Sequence, residues 1–239
     1  MMNKKLKPFG LWKSLVVFGT AALILLIETT LLIPYIVETT GLETIVVWFL
    51  VSAFLLFLPM VLLSQFIINS EGLSFSVDVW KTRLRFKKMN KDDWTWTIIG
   101  IIAIGFSSFI ITKILFMVFG EINFHPPFMF FEPLTTGRFW ILAIWFPCWL
   151  LNIMGEEILW RGVLLPRQES SFGRFTWLIN GLLWGIFHIG FGLQLLITLI
   201  PILFILPYIV QKRNNTWIGV IIHAAVNGPA FIAIALGLM

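Results

Sequence analysis

Long apolar stretches separated by short polar ones cover most of the chain. Seven of them approach or exceed the ~20 residues that a helix needs to cross the hydrocarbon core of a bilayer. They lie at 12–37, 42–69, 96–119, 138–165, 174–191, 194–210 and 216–238. The pattern predicts an all-α, polytopic membrane bundle of about seven transmembrane helices. The fifth and sixth stretches are short and only GFG (190–192) separates them, so they also fit a helical hairpin that does not fully cross.

Composition supports a membrane protein. Hydrophobic residues make up 59% of the chain and charged residues 12%, whereas soluble domains average about 25% charged residues. A single cysteine, Cys148, excludes an intrachain disulfide and a cysteine-based metal cluster. The basic start of the chain resembles a signal peptide, but the apolar stretch after it is long and lacks a small-x-small cleavage site. We therefore expect a retained first transmembrane helix.

Basic residues occur on alternate sides of the predicted spans. One side carries Lys4, Lys5, Lys7, Lys13, Lys81, Arg83, Arg85, Lys87, Lys88, Lys91, Arg167, Arg174, Lys212 and Arg213. The other side carries Glu38, Glu43, Glu121 and Glu132, with Arg138 as the main exception. Basic loops face the cytoplasm in most membrane proteins, which predicts a cytoplasmic N-terminus and an external C-terminus. Topology accounts for the net charge of +5, so no nucleic-acid partner is expected.

The basic segment between the second and third spans contains WKTRLRFK at 80–87, where apolar and basic residues alternate. An ordinary topology determinant is the favoured interpretation. Binding of anionic lipid by an interfacial segment is the alternative.

Seven ionisable groups fall inside the predicted spans. They are Glu28, Lys113, Glu156, Glu157, Arg161, His188 and His223. Because such groups are costly in a membrane, each must be paired or must face a cavity. Glu28 and Lys113 are interpreted as structural, with the Lys113 side chain reaching outward. The other five lie in the C-terminal half of the chain.

The stretch EEILWR (156–161) assigns different positions to its two carboxylates. Arg161 follows Glu157 by four residues, so the two share a helix face and can form a buried ion pair. Glu156 is rotated by about 100° from Glu157 and is left free for another task.

Two further spans carry polar pairs at the same spacing. His188 follows Trp184 by four residues, and Asn227 follows His223 by four. Helix rise places these groups and Glu156 at similar depth, compatible with one cavity in the cytoplasmic half of the membrane. A carboxylate, two imidazoles and an amide can activate a water and stabilise an oxyanion. The alternative for each of these groups taken singly is a structural role, in which a histidine hydrogen-bonds between helices or a Glu–Arg pair fixes helix packing.

These stretches match three motifs of one family. EEILWR fits EExxxR, WGIFH fits FxxxH with Trp184 in the aromatic position, and HAAVN fits HxxxN. In this order they resemble the CAAX protease and bacteriocin-processing family, whose eukaryotic members are the type II CAAX prenyl endopeptidases. The resemblance covers roughly residues 138–235. It divides the chain into an N-terminal transmembrane region, 1–137, with a basic cytoplasmic loop at 70–95, and a protease-like core, 138–239.

The resemblance implies an intramembrane endopeptidase whose site opens toward the cytoplasm. It implies that Glu156 and His188 activate the attacking water, and that His223 and Asn227 hold the oxyanion. Glu157 and Arg161 would organise the site. Two mechanisms stay open: zinc held by Glu156, His188 and His223, or a metal-free glutamate protease that uses the same residues.

Other functions also fit the sequence. The fold can serve a non-catalytic bacteriocin-immunity or regulatory protein that binds a partner, and buried charges also occur in small transporters, although no internal repeat is visible. For the enzyme, we expect membrane lipid as environment and a peptide or membrane protein as substrate. A prenylated CAAX tail, a bacteriocin leader, a peptide pheromone and a membrane anchor all remain possible substrates. The composition favours a bacterial cell membrane.

Overall fold

The computed structural model describes residues 6–74, 76–120, 126 and 132–238, and within these residues all regular structure is helical. The helices are α1 (Leu11–Thr40), α2 (Thr44–Ser70), α3 (Val77–Arg83), α4 (Lys91–Phe119), α5 (Ile141–Glu156), α6 (Leu165–Phe172), α7 (Thr176–Phe187), α8 (Leu193–Arg213) and α9 (Thr216–Ala235). The all-α prediction is therefore confirmed. Lys4, Lys5 and Glu121, which contribute to the predicted topology, lie outside the described residues.

Apolar helices of membrane length account for the bundle. Among the described residues, six helical runs are long and apolar enough to cross a membrane. The fourth, Ile141–Phe187, overlaps both the fourth and the fifth predicted spans. Large apolar side chains such as Ile102, Phe106 and Phe109 on α4 are exposed. Such apolar surface suits lipid and is rare on soluble monomers. The protein is an integral membrane protein.

The long fourth run folds back on itself. Glu156 and Trp184 are 28 residues apart, which in a straight helix would separate them by about 42 Å. Their side chains instead form a 2.6 Å hydrogen bond. The chain therefore reverses through α6 and the 3₁₀ turn Gly173–Phe175. Helix α7 has 12 residues, or about 18 Å, and is too short to cross alone. Helix α8, with 21 residues, is long enough.

Three segments are wound as π-helix. They are Glu28–Leu32 within α1, Ala53–Phe57 within α2, and Glu157–Leu164, which joins α5 to α6. The sequence predicted ordinary α-helix throughout, so the winding of the EEILWR stretch is a correction to that expectation. Such wide turns are rare and often lie at functional sites.

The two halves of the chain share one core. Phe18 of α1 stacks on Trp160 with ring centroids 3.9 Å apart. All eight residues of the π segment Glu157–Leu164 are buried, among side chains from both halves of the chain. The N-terminal helices therefore build part of the environment of the C-terminal motifs.

Two arginines of the basic segment after α2 have a structural role, because they hydrogen-bond to other parts of the bundle. Arg83 donates two hydrogen bonds to Glu71, at 2.6 and 2.8 Å, and a third to the carbonyl oxygen of Gly162 at 3.1 Å. Arg85 forms a two-bond pair with Glu169. These arginines tie the segment to α6 and to the π segment before it. Exposed lysines remain on this end of the bundle, which we call the basic end: Lys81, Lys87, Lys88, Lys91 and Lys212.

The two ionisable groups interpreted as structural have the following surroundings. Glu28 is buried, and the Ser52 hydroxyl donates a 3.1 Å hydrogen bond to its Oε2 atom. The sequence had not identified this partner. Lys113 is exposed on α4, with its ammonium 5.5 Å from the ring centroid of Phe109, as expected for a side chain that reaches outward.

Candidate active site

Glu156 is held by two neutral donors. It is the last residue of α5 and is 2% exposed. The Asn152 amide donates to Oε1 at 2.8 Å, and the Trp184 indole N–H donates to Oε2 at 2.6 Å. The prediction that Glu156 stays outside the ion pair agrees with this geometry. The sequence did not predict these two donors. They hold the Glu156 carboxylate in a fixed position, although it takes no part in the ion pair.

Glu157 and Arg161 form the predicted ion pair. Arg161 Nη1 lies 3.3 Å from Glu157 Oε1, and both side chains are fully buried. The contact lacks hydrogen-bond alignment, and within the described part of the chain no guanidinium nitrogen of Arg161 has a hydrogen-bond partner. The guanidinium instead stacks over the Trp184 ring, 3.7 Å from its centroid. Charge attraction and cation–π contact therefore hold Arg161 in place.

His188 has a defined tautomer. It caps the C-terminal end of α7, and its Nδ1 atom lies 2.9 Å from the Trp184 carbonyl oxygen. Because a carbonyl oxygen can only accept a hydrogen bond, Nδ1 carries the proton. In the neutral ring, Nε2 is then left as an acceptor.

His223 is tied to the ion pair. Its Nδ1 atom lies 3.0 Å from Glu157 Oε1, the same oxygen that faces Arg161. A carboxylate accepts, so Nδ1 donates. His223 can then donate a second hydrogen bond, from Nε2, only as an imidazolium.

Trp184 connects the three motifs. Besides its contacts with Glu156 and Arg161, its ring makes edge contacts with His188 and His223, at centroid distances of 5.5 and 5.3 Å. The sequence marked Trp184 only as an aromatic substitute for Phe. The indole N–H, which Phe lacks, gives Trp184 a hydrogen bond to Glu156 that a Phe at this position could not form.

One cavity brings the predicted site residues together. Its volume is about 290 Å³, and its lining includes Glu156, His188, His223 and Asn227. The prediction that these four groups meet is confirmed. The amide of Asn227 has no hydrogen-bond partner among the residues that the structure describes, which leaves it available to a ligand. Glu157 and Arg161 lie behind this lining.

The cavity leads away from the basic end. From Glu156 its lining continues along α5 through Asn152, Trp149 and Trp145, and along α9 from His223 to Ile234. These residues lie toward the N-terminal end of α5 and the C-terminal end of α9. The Leu134 N–H, in the segment before α5, donates a hydrogen bond to the Ala235 carbonyl at the end of α9.

The direction in which this cavity opens stays a prediction, as does the orientation of the bundle in the membrane.

Gly219 is a site residue that the sequence did not reveal. It lies one turn before His223 on α9, and a Cβ atom there would lie 2.4 Å from Glu157 Oε2. The absence of a side chain lets the carboxylate of the ion pair pack directly against the α9 backbone. Nothing in the local sequence TWIGVIIH distinguishes this glycine from one that only aids packing.

Zinc held by Glu156, His188 and His223 stays a prediction. Among the described residues, no group of three His, Cys, Asp or Glu side chains is placed to hold one.

Comparison with known families agrees with the motifs. A family model described as type II CAAX prenyl endopeptidase Rce1-like matches residues 138–228. The resemblance identified from the three motifs is thereby confirmed for this segment. No curated protein and no solved structure matches the chain.

Proposed function

On the premise that residues 138–228 have the fold of a CAAX-type intramembrane protease, we propose that the chain is an endopeptidase that hydrolyses a peptide bond in a membrane-associated peptide or protein. The observation that carries the proposal is the shared cavity of Glu156, His188, His223 and Asn227. These polar groups lie together in an otherwise largely apolar cleft, which is the usual form of a ligand site.

In the proposed reaction, Glu156 is the general base. Its carboxylate takes a proton from a water molecule while the water oxygen attacks the substrate carbonyl carbon. The Nε2 acceptor of His188 holds the second hydrogen of that water. When the C–N bond of the tetrahedral intermediate breaks, Glu156 returns the proton to the leaving amine. Asn152 and Trp184 keep the carboxylate in position for both transfers.

The oxyanion of the intermediate is stabilised by donors from α9. The free amide of Asn227 supplies one hydrogen bond. His223 supplies a second when it is an imidazolium, with Glu157 balancing its charge. Arg161 fixes Glu157 through the ion pair, so it acts as a positioning residue. We propose this metal-free glutamate mechanism because it needs only contacts that the side chains make.

The test compares membrane and secreted peptides from cells that carry the wild type or Glu156→Gln. Uncleaved precursors should accumulate in Glu156→Gln, because an amide cannot accept the proton, while protein abundance stays normal. Glu28→Gln is the matched control, because it makes the same change at a buried carboxyl outside the cavity lining.

A normal peptide profile in an abundant Glu156→Gln protein would contradict the enzyme. A non-catalytic role in bacteriocin immunity or regulation, with the cavity binding a partner, would then replace it.

A further inference from the structure

We propose that the start of helix α4 binds an anionic phospholipid. In this site Lys88 and Lys91 hold the headgroup phosphate, and an apolar stripe on the outer face of α4 receives an acyl chain. None of the described α4 residues lines the cavity, so the inference concerns a second site and does not rest on the proposed protease activity.

The arginines of the basic end are used within the protein, whereas its lysines are not. Three of these arginines are paired with carboxylates: Arg83 with Glu71, Arg85 with Glu169, and Arg213 with Asp93. None of the exposed lysines there lies within ion-pair distance of a carboxylate in the described part of the chain. Their charge is therefore free to attract an external anion, and the anion that a bilayer presents at its surface is a lipid headgroup.

Two of these lysines stand at the start of α4. Lys91 is the first residue of the helix, Lys88 precedes it by three residues, and both are exposed. The acidic residues of the first turn do not neutralise them, because Asp92 and Asp93 both lie within ion-pair distance of Arg213, at 3.7 and 2.8 Å. The two lysines are left as unmatched positive charges at one point of the surface.

An apolar stripe continues from these lysines along α4. Trp94, Ile98 and Ile102 follow one another at intervals of four residues and are 47%, 54% and 65% exposed. Trp94 comes three residues after Lys91 and therefore lies on the same side of the helix. The opposite side is packed, since a Cβ atom on Gly100 would lie 2.7 Å from a side chain of α8.

The order of these groups matches the order of groups in a phospholipid. Tryptophan between charged and apolar surface is typical of the membrane interface. The lysines therefore meet the phosphate, Trp94 lies at the level of the glycerol backbone, and the isoleucines contact an acyl chain. Each lysine near a membrane surface adds about fivefold to the affinity for an anionic lipid, so two together add roughly 30-fold. A zwitterionic lipid has the same phosphate but carries its own cation, which predicts a preference for anionic lipid.

The test titrates purified protein in detergent with phosphatidylglycerol or phosphatidylcholine and counts bound lipid by native mass spectrometry. The test variant combines Lys88→Gln with Lys91→Gln. The matched control combines Lys13→Gln with Lys81→Gln, which removes the same charge from two exposed lysines on α1 and α3. Glycerol phosphate, which has the charged headgroup without acyl chains, is added as a competitor.

We expect the wild type and the control to prefer phosphatidylglycerol, and the test variant to bind it roughly 30-fold more weakly with little change for phosphatidylcholine. Equal losses in the two double variants would show a diffuse effect of charge and would overturn the site, as would a wild type without preference. Displacement of the lipid by an equal concentration of glycerol phosphate would overturn the role of the apolar stripe. Because lipid binding is measured without catalysis, a protein that binds as expected but cleaves nothing would remove the proposed enzyme and leave this site standing.

Discussion

Replacing Trp184 with Phe tests whether the indole N–H positions the general base. The change keeps an aromatic ring beside Arg161, His188 and His223 but removes the donor that lies 2.6 Å from Glu156 Oε2. A hydrogen bond to a charged group contributes about 1.5–3 kcal/mol. If that stabilisation is needed to hold Glu156 in the transition state, cleavage should slow by roughly 10- to 150-fold. Asn152 still holds the other oxygen, so some activity should remain.

The assay measures kcat and KM of detergent-solubilised protein on a substrate identified from the precursors that Glu156→Gln accumulates. The loss should appear mainly in kcat, because Trp184 acts on the base. Trp160→Phe is the matched control: it makes the same change at a buried tryptophan whose N–H has no partner among the described residues. An equal loss in both variants would show that lost packing explains the effect. Unchanged kcat in Trp184→Phe would refute the positioning role.

Four further changes probe the surroundings of Glu156. Gly219→Ala places a methyl group about 1 Å inside the ordinary contact distance of 3.4 Å to Glu157, so it should cost about 1–3 kcal/mol of stability and lower cleavage, whereas Gly185→Ala meets Leu203 at 3.4 Å and should be mild. Equal thermal midpoints and rates in the two glycine variants would contradict this. Arg161→Ala leaves the buried Glu157 carboxylate without its arginine partner, which should cost about 3–5 kcal/mol of stability and lower both abundance and activity. Full abundance of this variant would contradict a structural role for the ion pair. Asn227→Ala should remain folded and bind substrate but cleave about 10²- to 10³-fold more slowly. Asn227→Asp should be worse, because its charge repels the oxyanion, and equal rates in the two variants would argue against an oxyanion there. Purified protein should keep its activity after chelation, and near-stoichiometric zinc whose removal abolishes cleavage would establish the metal mechanism instead.

The sequence predicted those features that depend on local patterns. Apolar stretches of membrane length identified most of the spans. The i, i+4 spacing of EEILWR identified the Glu157–Arg161 ion pair, and that of HAAVN identified two side chains that line one cavity. Asn152 could have been found in the same way, because it precedes Glu156 by four residues.

The features that the sequence missed depend on contacts between distant parts of the chain. Trp184 donates to a carboxylate 28 residues away, and Gly219 packs against Glu157 from another helix. Motif spacing fixes which residues meet but does not show which distant side chains hold them.

The π winding of Glu157–Leu164 makes this stretch tolerant of a change in chain length. A π-helix forms hydrogen bonds between residues five apart, one more than in an α-helix. In an α-helix, the loss of one residue turns one flank by about 100° relative to the other. Loss of one residue of the π segment, such as Val163, would instead let the segment rewind as α-helix, and the tighter winding would offset much of that rotation. A single codon lost at this point should therefore disturb the orientation of Glu156 less than one lost within α5, although the Gly162 carbonyl that Arg83 anchors would shift.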